Sequence, residues 1–192
     1  MRILYIDHYA GSPTLGMEYR PHAMATEWAG MGAETVLLAG THSHLRKKNF
    51  PDAKPLEPVE IDGVEFRFIR NRAYDGNGIG RVLSMADFVG RGWLAARRIA
   101  REVRPDAVIA SSTYPFDTYL AQRVAKASGA LLVHEIHDLW PLTPIELGGH
   151  SPKHPLMWAM AQAEKSAYRN SDAVVSIRTR NPTSGRWGSS PP

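Results

Sequence analysis

Short β-rich runs alternate with helical segments along most of this chain, and that alternation restricts its fold more than any other feature. Two further runs flank Asp62-Gly63, which predicts a β-hairpin. Strands that alternate with helices pair in parallel through right-handed crossovers. The sequence therefore predicts an α/β fold: a three-layer, doubly wound, Rossmann-like domain with a mostly parallel sheet. The strand-like runs are 2–7, 34–39, 107–111, 130–136 and 173–177.

Local signals set expectations for individual elements. Asp117 is expected to cap a helix that runs to about Ser128. The long helix that ends near Val103 is expected to be interrupted by Gly90 and Gly92. Residues 137–155 contain several Pro and Gly and are expected to form one long loop.

Charge is distributed unevenly along the 192 residues. The whole chain carries +4, and the three arginines after residue 177 account for +3, which leaves +1 for residues 1–177. The last fifteen residues contain no acid and show no structural period, so we expect a domain at 1–177 and a disordered, non-family tail at 178–192. The net charge is thus a poor guide to partners, and the absence of a helix-turn-helix or aromatic–basic platform predicts no nucleic acid binding.

Absences narrow the possible classes further. The chain has no cysteine, which excludes disulfide scaffolds, cysteine zinc sites and thiol catalysis. It has no apolar run long enough to span a membrane and no signal-peptide core at its start, so we expect a cytoplasmic location. The basic segments 46–48 and 97–104 are either solvated faces or a peripheral contact with the inner face of the cell membrane.

The loops after the strand-like runs 2–7, 107–111 and 130–136 should meet at the ligand crevice of such a sheet. The first contains Gly11 and Gly16 but lacks the Lys and Ser/Thr of a phosphate loop and the dinucleotide G-x-G-x-x-G pattern. It is either an ordinary connection or a loop whose backbone N–H groups approach an anion. The second contains Ser112, Thr113 and Tyr114, which either hold a polar ligand or cap the next helix.

The third loop has the highest density of titratable residues. Its sequence HEIHD approaches the zinc motif H-E-x-x-H, but Asp138 occupies the last position and the segment ends a strand, which argues against a metal site. His137 and Asp138 suit acid–base work or the binding of sugar hydroxyls, or they satisfy loop backbone groups. His134 lies within the apolar run and is expected to be a buried structural histidine.

Several of these segments together resemble family 4 glycosyltransferases of the GT-B fold. The opening MRILYID with its Gly-containing loop, the hairpin IDGVEF, and HEIHDLWP followed by EKSAYRNSDAVVS occur in the order found in that family. The pattern is typical of bacterial transferases that build capsule and O-antigen polysaccharide, and it covers residues 1–177. The resemblance implies the N-terminal, acceptor-side domain of a retaining enzyme that needs no metal and no other cofactor.

The resemblance also implies roles for individual residues. Gly11 to Gly16 would lie near the phosphates of a nucleotide-sugar donor, and His137 or Asp138 near the transferred sugar. Arg20 matches a basic residue after the glycine loop and is expected to meet a phosphate. The implied partners are the donor and a saccharide or lipid-linked acceptor.

In that family, a second domain binds most of the donor, and nothing after residue 177 resembles it. We therefore expect a truncated product that is inactive alone. The alternative is a stand-alone Rossmann-like module that binds an anionic ligand or a partner subunit.

Overall fold

Seven strands and five helices make up the part of the chain that the computed structural model describes, residues 1–76 and 78–177. The predicted tail 178–192 lies outside the described residues. The strands are β1 (Arg2–Ile6), β2 (Glu34–Gly40), β3 (Val59–Ile61), β4 (Val64–Ile69), β5 (Ala107–Ala110), β6 (Leu131–Ile136) and β7 (Ala173–Ser176). The helices are α1 (Arg20–Gly30), α2 (Ile79–Val103), α3 (Asp117–Ser128), α4 (Leu142–Glu146) and α5 (Pro155–Asn170).

The strands form one sheet in the order β3-β4-β2-β1-β5-β6-β7. Every neighbouring pair is parallel except β3 with β4, which form the antiparallel hairpin predicted around Asp62-Gly63. The chain starts at β1 in the centre, moves outward through β2, and returns to the other side of β1 as β5. That reversal confirms the doubly wound, mostly parallel fold and places the switch point between β1 and β5.

The two faces of the sheet are covered by different helices. On one face, α2 and α3 bury Leu4, Ile6 and Leu38. On the other, α1 and part of the loop after β2 cover Tyr5 and Phe66. Consecutive residues of a strand point to opposite faces, so near-continuous apolar runs such as ILYI are what a sheet buried on both sides requires.

The predicted break in the long helix was wrong, because α2 runs unbroken from Ile79 to Val103. Gly92 does not end the helix; it allows the helix to pack closely against its neighbours. A Cβ at Gly92 would lie 2.6 Å from the Leu120 side chain and 2.8 Å from the Ile69 side chain, so glycine allows α2 to approach α3 and β4 closely. At Gly90 a Cβ would meet nothing within 4 Å.

Two other local predictions were wrong. Asp117 is the first residue of α3 and does not cap it; its carboxylate instead accepts a hydrogen bond of 2.9 Å from the backbone N–H of Ser112. The segment predicted as one loop at 137–155 contains the short helix α4. Both predictions failed because tertiary contacts decide the local structure. The residue type Asp predicts a capping side chain, but it does not indicate which backbone N–H that side chain will accept from.

The basic segment at 46–48 is also divided by the tertiary structure. Lys47 and Lys48 are exposed, whereas Arg46 is buried and donates to the carbonyl oxygens of His8 and Gly40, which joins the ends of β1 and β2. The arginines of the segment 97–104 are solvent-exposed, as predicted for that face of α2. None of the helices in the described ranges has the length and apolarity needed to cross a membrane.

Candidate active site at the carboxyl ends of the central strands

A buried carboxylate, Glu135 near the end of β6, joins four other side chains beside the switch point. Its Oε1 accepts from Arg20 at the start of α1, with distances of 3.0 Å from Nε and 2.5 Å from Nη2. Its Oε2 accepts from the hydroxyl of Tyr5 and, at 2.6 Å, from that of Ser111. Because β1, β5 and β6 are parallel, their carboxyl ends meet at one edge and bring together residues more than 100 positions apart.

His137 completes this cluster. Its Nε2 lies 2.8 Å from Ser111 Oγ and 3.4 Å from Glu135 Oε2. The contacts form a relay in which His137 donates to Ser111 and Ser111 donates to Glu135. The other ring nitrogen, Nδ1, forms no hydrogen bond with the residues described, so it remains available to a ligand.

The charges in the cluster support one another. Burial acts to raise the pKa of Glu135, but hydrogen bonds from His137, Ser111, Tyr5 and Arg20 outweigh it and hold that pKa well below its usual range. Burial acts to lower the pKa of His137, but Glu135, Asp7 and Glu18 together raise it above its ordinary value. The arrangement favours an imidazolium next to a carboxylate at the mouth of the crevice.

Asp7, the residue after β1, is the exception in this region. Its side chain is fully buried, one oxygen accepts from the backbone N–H of Tyr9 at 2.9 Å, and the other has no hydrogen-bond partner. Burial raises the pKa of Asp7 to about 7 even though His137 and Arg46 act to lower it. Asp7 is thus a carboxyl group whose charge is finely balanced near neutral pH.

His8 follows Asp7 and links the two halves of the sheet edge. Its ring lies between those of Tyr9 and Phe88, its Nδ1 is 2.8 Å from the hydroxyl of Tyr114, and its Nε2 is 3.0 Å from Asn71 Nδ2. Burial, helped by nearby cations, places the pKa of His8 well below the ordinary value, so its ring is neutral. It is a structural group and not a proton carrier.

The glycine loop predicted to approach an anion is folded back on itself. Gly11 N donates to Glu18 O at 2.7 Å and Gly16 N donates to Ser12 O at 2.9 Å, so both amides are used within the loop. A Cβ on Gly11 would lie 1.9 Å from Gly16 O, and Gly16 has a φ of +98°, so this turn requires glycine at both positions. Substrate binding by Gly11 and Gly16 stays a prediction.

The three residues of the second predicted loop differ in their surroundings. Tyr114 is buried against His8. The Oγ of Ser112 accepts from the backbone N–H of His8 at 3.1 Å and thereby ties β1 to β5. Thr113 has a buried hydroxyl without a partner, while its carbonyl accepts from Trp140 Nε1. The structure therefore uses Ser112 and Tyr114 in the scaffold, and a ligand role for these three residues remains untested.

The remaining predicted residues lie as follows. Arg20 is part of the Glu135 cluster, and a third of its side chain is exposed. Asp138 is half-buried and lines a small cavity that also borders Ser112 and Tyr114. His134 is buried, as predicted, and burial lowers its pKa to about 4.

Sequence reasoning singled out His137 but not the residue that governs it. The sequence assigns no role to Glu135, because this residue occurs inside the apolar run ALLVHEI, which predicts a strand. The available signal was that an acid within an otherwise apolar, doubly buried strand needs buried partners. Those partners are Tyr5, Arg20 and Ser111. Because they come from distant parts of the chain, the sequence does not indicate which residues they are.

Comparisons with known proteins agree with the fold. A model of a family described as glycosyl transferase 4-like domain matches residues 16–180. Sucrose-phosphate synthase from Thermosynechococcus elongatus is structurally similar with a TM-score of 0.62 and 12% identity, over 90% of this chain and 41% of that one. A search of curated proteins found no significant match.

Two further solved structures are similar at a TM-score of 0.50. One is UGT89C1 from Arabidopsis thaliana complexed with UDP, at 13% identity over 91% of this chain and 44% of that one. The other is UGT2 from Phytolacca americana complexed with UDP-2fluoro-glucose and pterostilbene, at 12% identity over 92% and 48%. At such identities the likeness shows the fold alone. The chain spans less than half the length of each of these three proteins.

Proposed function

The chain belongs to the glycosyl transferase 4-like domain family, and from that premise we propose that it is the acceptor-side domain of a retaining glycosyltransferase. The enzyme would transfer a sugar from a nucleotide-sugar donor to a saccharide or lipid-linked acceptor during the synthesis of a surface polysaccharide. We place it in the cytoplasm, in peripheral contact with the membrane. Most of the donor site would come from a second domain.

The observation that carries this proposal is the Glu135 cluster, in which Ser111 and Glu135 fix Nε2 of His137 and nearby carboxylates raise the pKa of its imidazole. Transfer of a sugar from a nucleoside diphosphate leaves negative charge on the departing phosphate oxygens. A fixed imidazolium can donate a hydrogen bond from Nδ1 to such an oxygen or to a sugar hydroxyl. Its orientation is already set by Ser111 and Glu135 at Nε2, so little reorganisation is needed when the ligand arrives.

Arg20 and Asp138 have secondary roles in this proposal. Both Arg20 contacts use a single oxygen of Glu135, and its partly exposed guanidinium keeps other N–H groups for a phosphate. Asp138 lies next to His137 at the crevice and would accept a hydrogen bond from a sugar hydroxyl. Neither role requires a metal.

Binding by the chain itself tests the proposal. Saturation-transfer NMR with a panel of UDP-hexoses and GDP-hexoses should show weak binding, because most donor contacts are assigned to another domain, and no turnover. His137→Ala should weaken binding of the matching nucleotide sugar by about tenfold, the value of one hydrogen bond to a charged group. The exposed His150→Ala is the matched control.

The pH dependence adds a second readout. Only the charged imidazole of His137 favours the diphosphate, so affinity should fall as pH rises through its raised pKa, and the His137→Ala variant should lose that dependence. Asp138→Asn should weaken binding without loss of stability. If no nucleotide sugar binds, the proposed function is wrong; if binding ignores His137 and Asp138, their assignment is wrong.

A further inference from the structure

A second, larger cavity opens at the same sheet edge, beyond the ends of β2 and β4. Its volume is about 590 Å³, within the range of roughly 300–1,000 Å³ that is usual for small-molecule sites. Residues 41–42, 49, 51 and 70–73 form its walls, together with Asp87 and Arg91 of α2. None of the residues that the sequence assigns to the donor site lines this cavity.

The positive charge of the arginines in this cavity is only partly compensated, because Asp87 is the single carboxylate among three arginines in the lining. Arg72 pairs with Asp87, with Nε 2.7 Å from Oδ2. Arg70 and Arg91 make no ion pair within 4.0 Å with any residue in the described ranges, and Asp87 is the one acid in the lining. Two guanidinium groups therefore face the cavity without a carboxylate of their own, an arrangement suited to a phosphate.

An apolar groove continues from the same two arginines. It has a volume of about 250 Å³, and Arg70 and Arg91 line both spaces. The groove is otherwise walled by Pro55, Leu56, Ile69 and Ala95, with Arg98 at its rim. Arg98 is paired with Glu102 at 2.6 Å and thus adds little charge. Arg70 and Arg91 thus lie where the larger cavity meets the apolar groove.

We propose that these two spaces bind one ligand, a phosphate ester of an apolar chain. Arg70 and Arg91 hold the phosphate, and the chain lies between β4 and α2 along the groove. The inference rests on the proposed function, for which it selects the lipid-linked acceptor over a free saccharide. Asn71, which lines the cavity, is hydrogen-bonded to His8, and His8 to Ser112, so the phosphate and His137 belong to one continuous edge.

The test uses the full chain and octyl phosphate, followed by calorimetry or NMR below the critical micelle concentration. Octyl phosphate should bind more tightly than inorganic phosphate, by about fourfold for each methylene buried in the groove. Octyl glucoside, which has the same chain and no charge, should bind at least about tenfold more weakly than octyl phosphate.

Variants locate the site. Arg70→Gln and Arg91→Gln should each weaken octyl phosphate binding by about tenfold, because each removes a charge-assisted contact. Arg97→Gln is the matched control, since Arg97 is an exposed arginine of α2 that lines neither space. Equal losses in all three variants would mean nonspecific attraction and would overturn the proposal.

Two other outcomes would also overturn it. Equal affinity for inorganic phosphate and octyl phosphate would assign the arginines to a soluble phosphate and leave the groove without a role. Binding that ignores Arg70 and Arg91 would place the ligand elsewhere. Because nucleotide-sugar binding is measured through His137, a failure of the acceptor inference and a failure of the proposed function give different results.

Discussion

Two polar regions share the carboxyl edge of this sheet, and they treat charge in opposite ways. Around Glu135, beside the switch point, buried charges satisfy each other: one carboxylate takes hydrogen bonds from Arg20, Tyr5 and Ser111 and lies next to His137. Beyond β2 and β4, Arg70 and Arg91 face open cavities without an acidic partner within 4.0 Å among the described residues. In the first region the charge of Glu135 is paired within the protein, whereas in the second Arg70 and Arg91 form no ion pair of their own within the described part of the chain.

The difference indicates that, at one edge of the sheet, some charged residues contribute to stability and others to binding. A desolvated charge is costly without a partner, so residues of the Glu135 cluster should matter for folding. An exposed arginine is already solvated by water, so its removal should matter for binding alone. Measurements of stability and binding on the same variants can break this comparison.

Glu135→Gln should have the largest effect on folding. It removes the charge that Arg20 and His137 share within the site, and breaking such a buried pair costs about 3 kcal/mol. Urea unfolding would measure the loss, with the exposed Glu27→Gln as control. In the double variant with Arg20→Gln, the losses should fall short of additivity; simple addition would mean that the two residues do not act as a unit.

Asp7→Asn should change the pH dependence of stability. The pKa of Asp7 is about 7 in the folded chain against 3.8 for an unperturbed carboxyl, so the folded state binds the extra proton. Its contribution is fully present below pH 3.8 and is lost as pH rises through 7. Between pH 5 and 9 the native chain should lose about 3 kcal/mol of stability that the variant keeps.

Asp52→Asn, at an exposed position, is the control for that measurement and should leave the slope unchanged. Parallel curves for the native chain and Asp7→Asn would contradict the buried carboxyl. The neutral amide can still accept from the backbone N–H of Tyr9, so we expect the variant to fold.

Arg20→Gln and Arg70→Gln make the contrast within one residue type. Arg20 pairs with buried Glu135, so its loss should cost about 1 kcal/mol, reduced by its partial exposure. Arg70 is exposed and unpaired, so its loss should change unfolding by less than about 0.5 kcal/mol. Thermal unfolding of both variants would measure this; a larger loss for Arg70 would reverse the comparison.

Much of the scaffold was predictable because it follows from local patterns. Apolar runs of strand length, the Asp62-Gly63 turn and alternating helices were sufficient to predict the doubly wound sheet. The exposed face of α2 was also predicted correctly from its arginines. The break predicted at Gly90 and Gly92 was wrong because glycine disfavours helix only as an intrinsic preference. At Gly92 the close approach of Leu120 and Ile69 requires glycine within the helix.

The site was predicted less completely. The loops at strand ends predicted Ser112 and His137, and the resemblance to family 4 glycosyltransferases implied Arg20; all three lie near the switch point. The Glu135 cluster and the cavity lined by Arg70 and Arg91 are each formed by residues from separate strands, helices and loops. Their meeting is set by strand order, which a single sequence does not display.

By itself, the sequence determined the seven strands and the order of the main helices, since burial on one or two faces leaves a period in the chain, but it missed α4. It also predicted that the functional site would lie at the ends of particular strands. Only the tertiary structure decided which charges are paired and which are open. The reason is physical: the pKa of a carboxyl such as Glu135 or Asp7 depends on desolvation and on neighbours within a few ångströms, and folding alone brings those neighbours together.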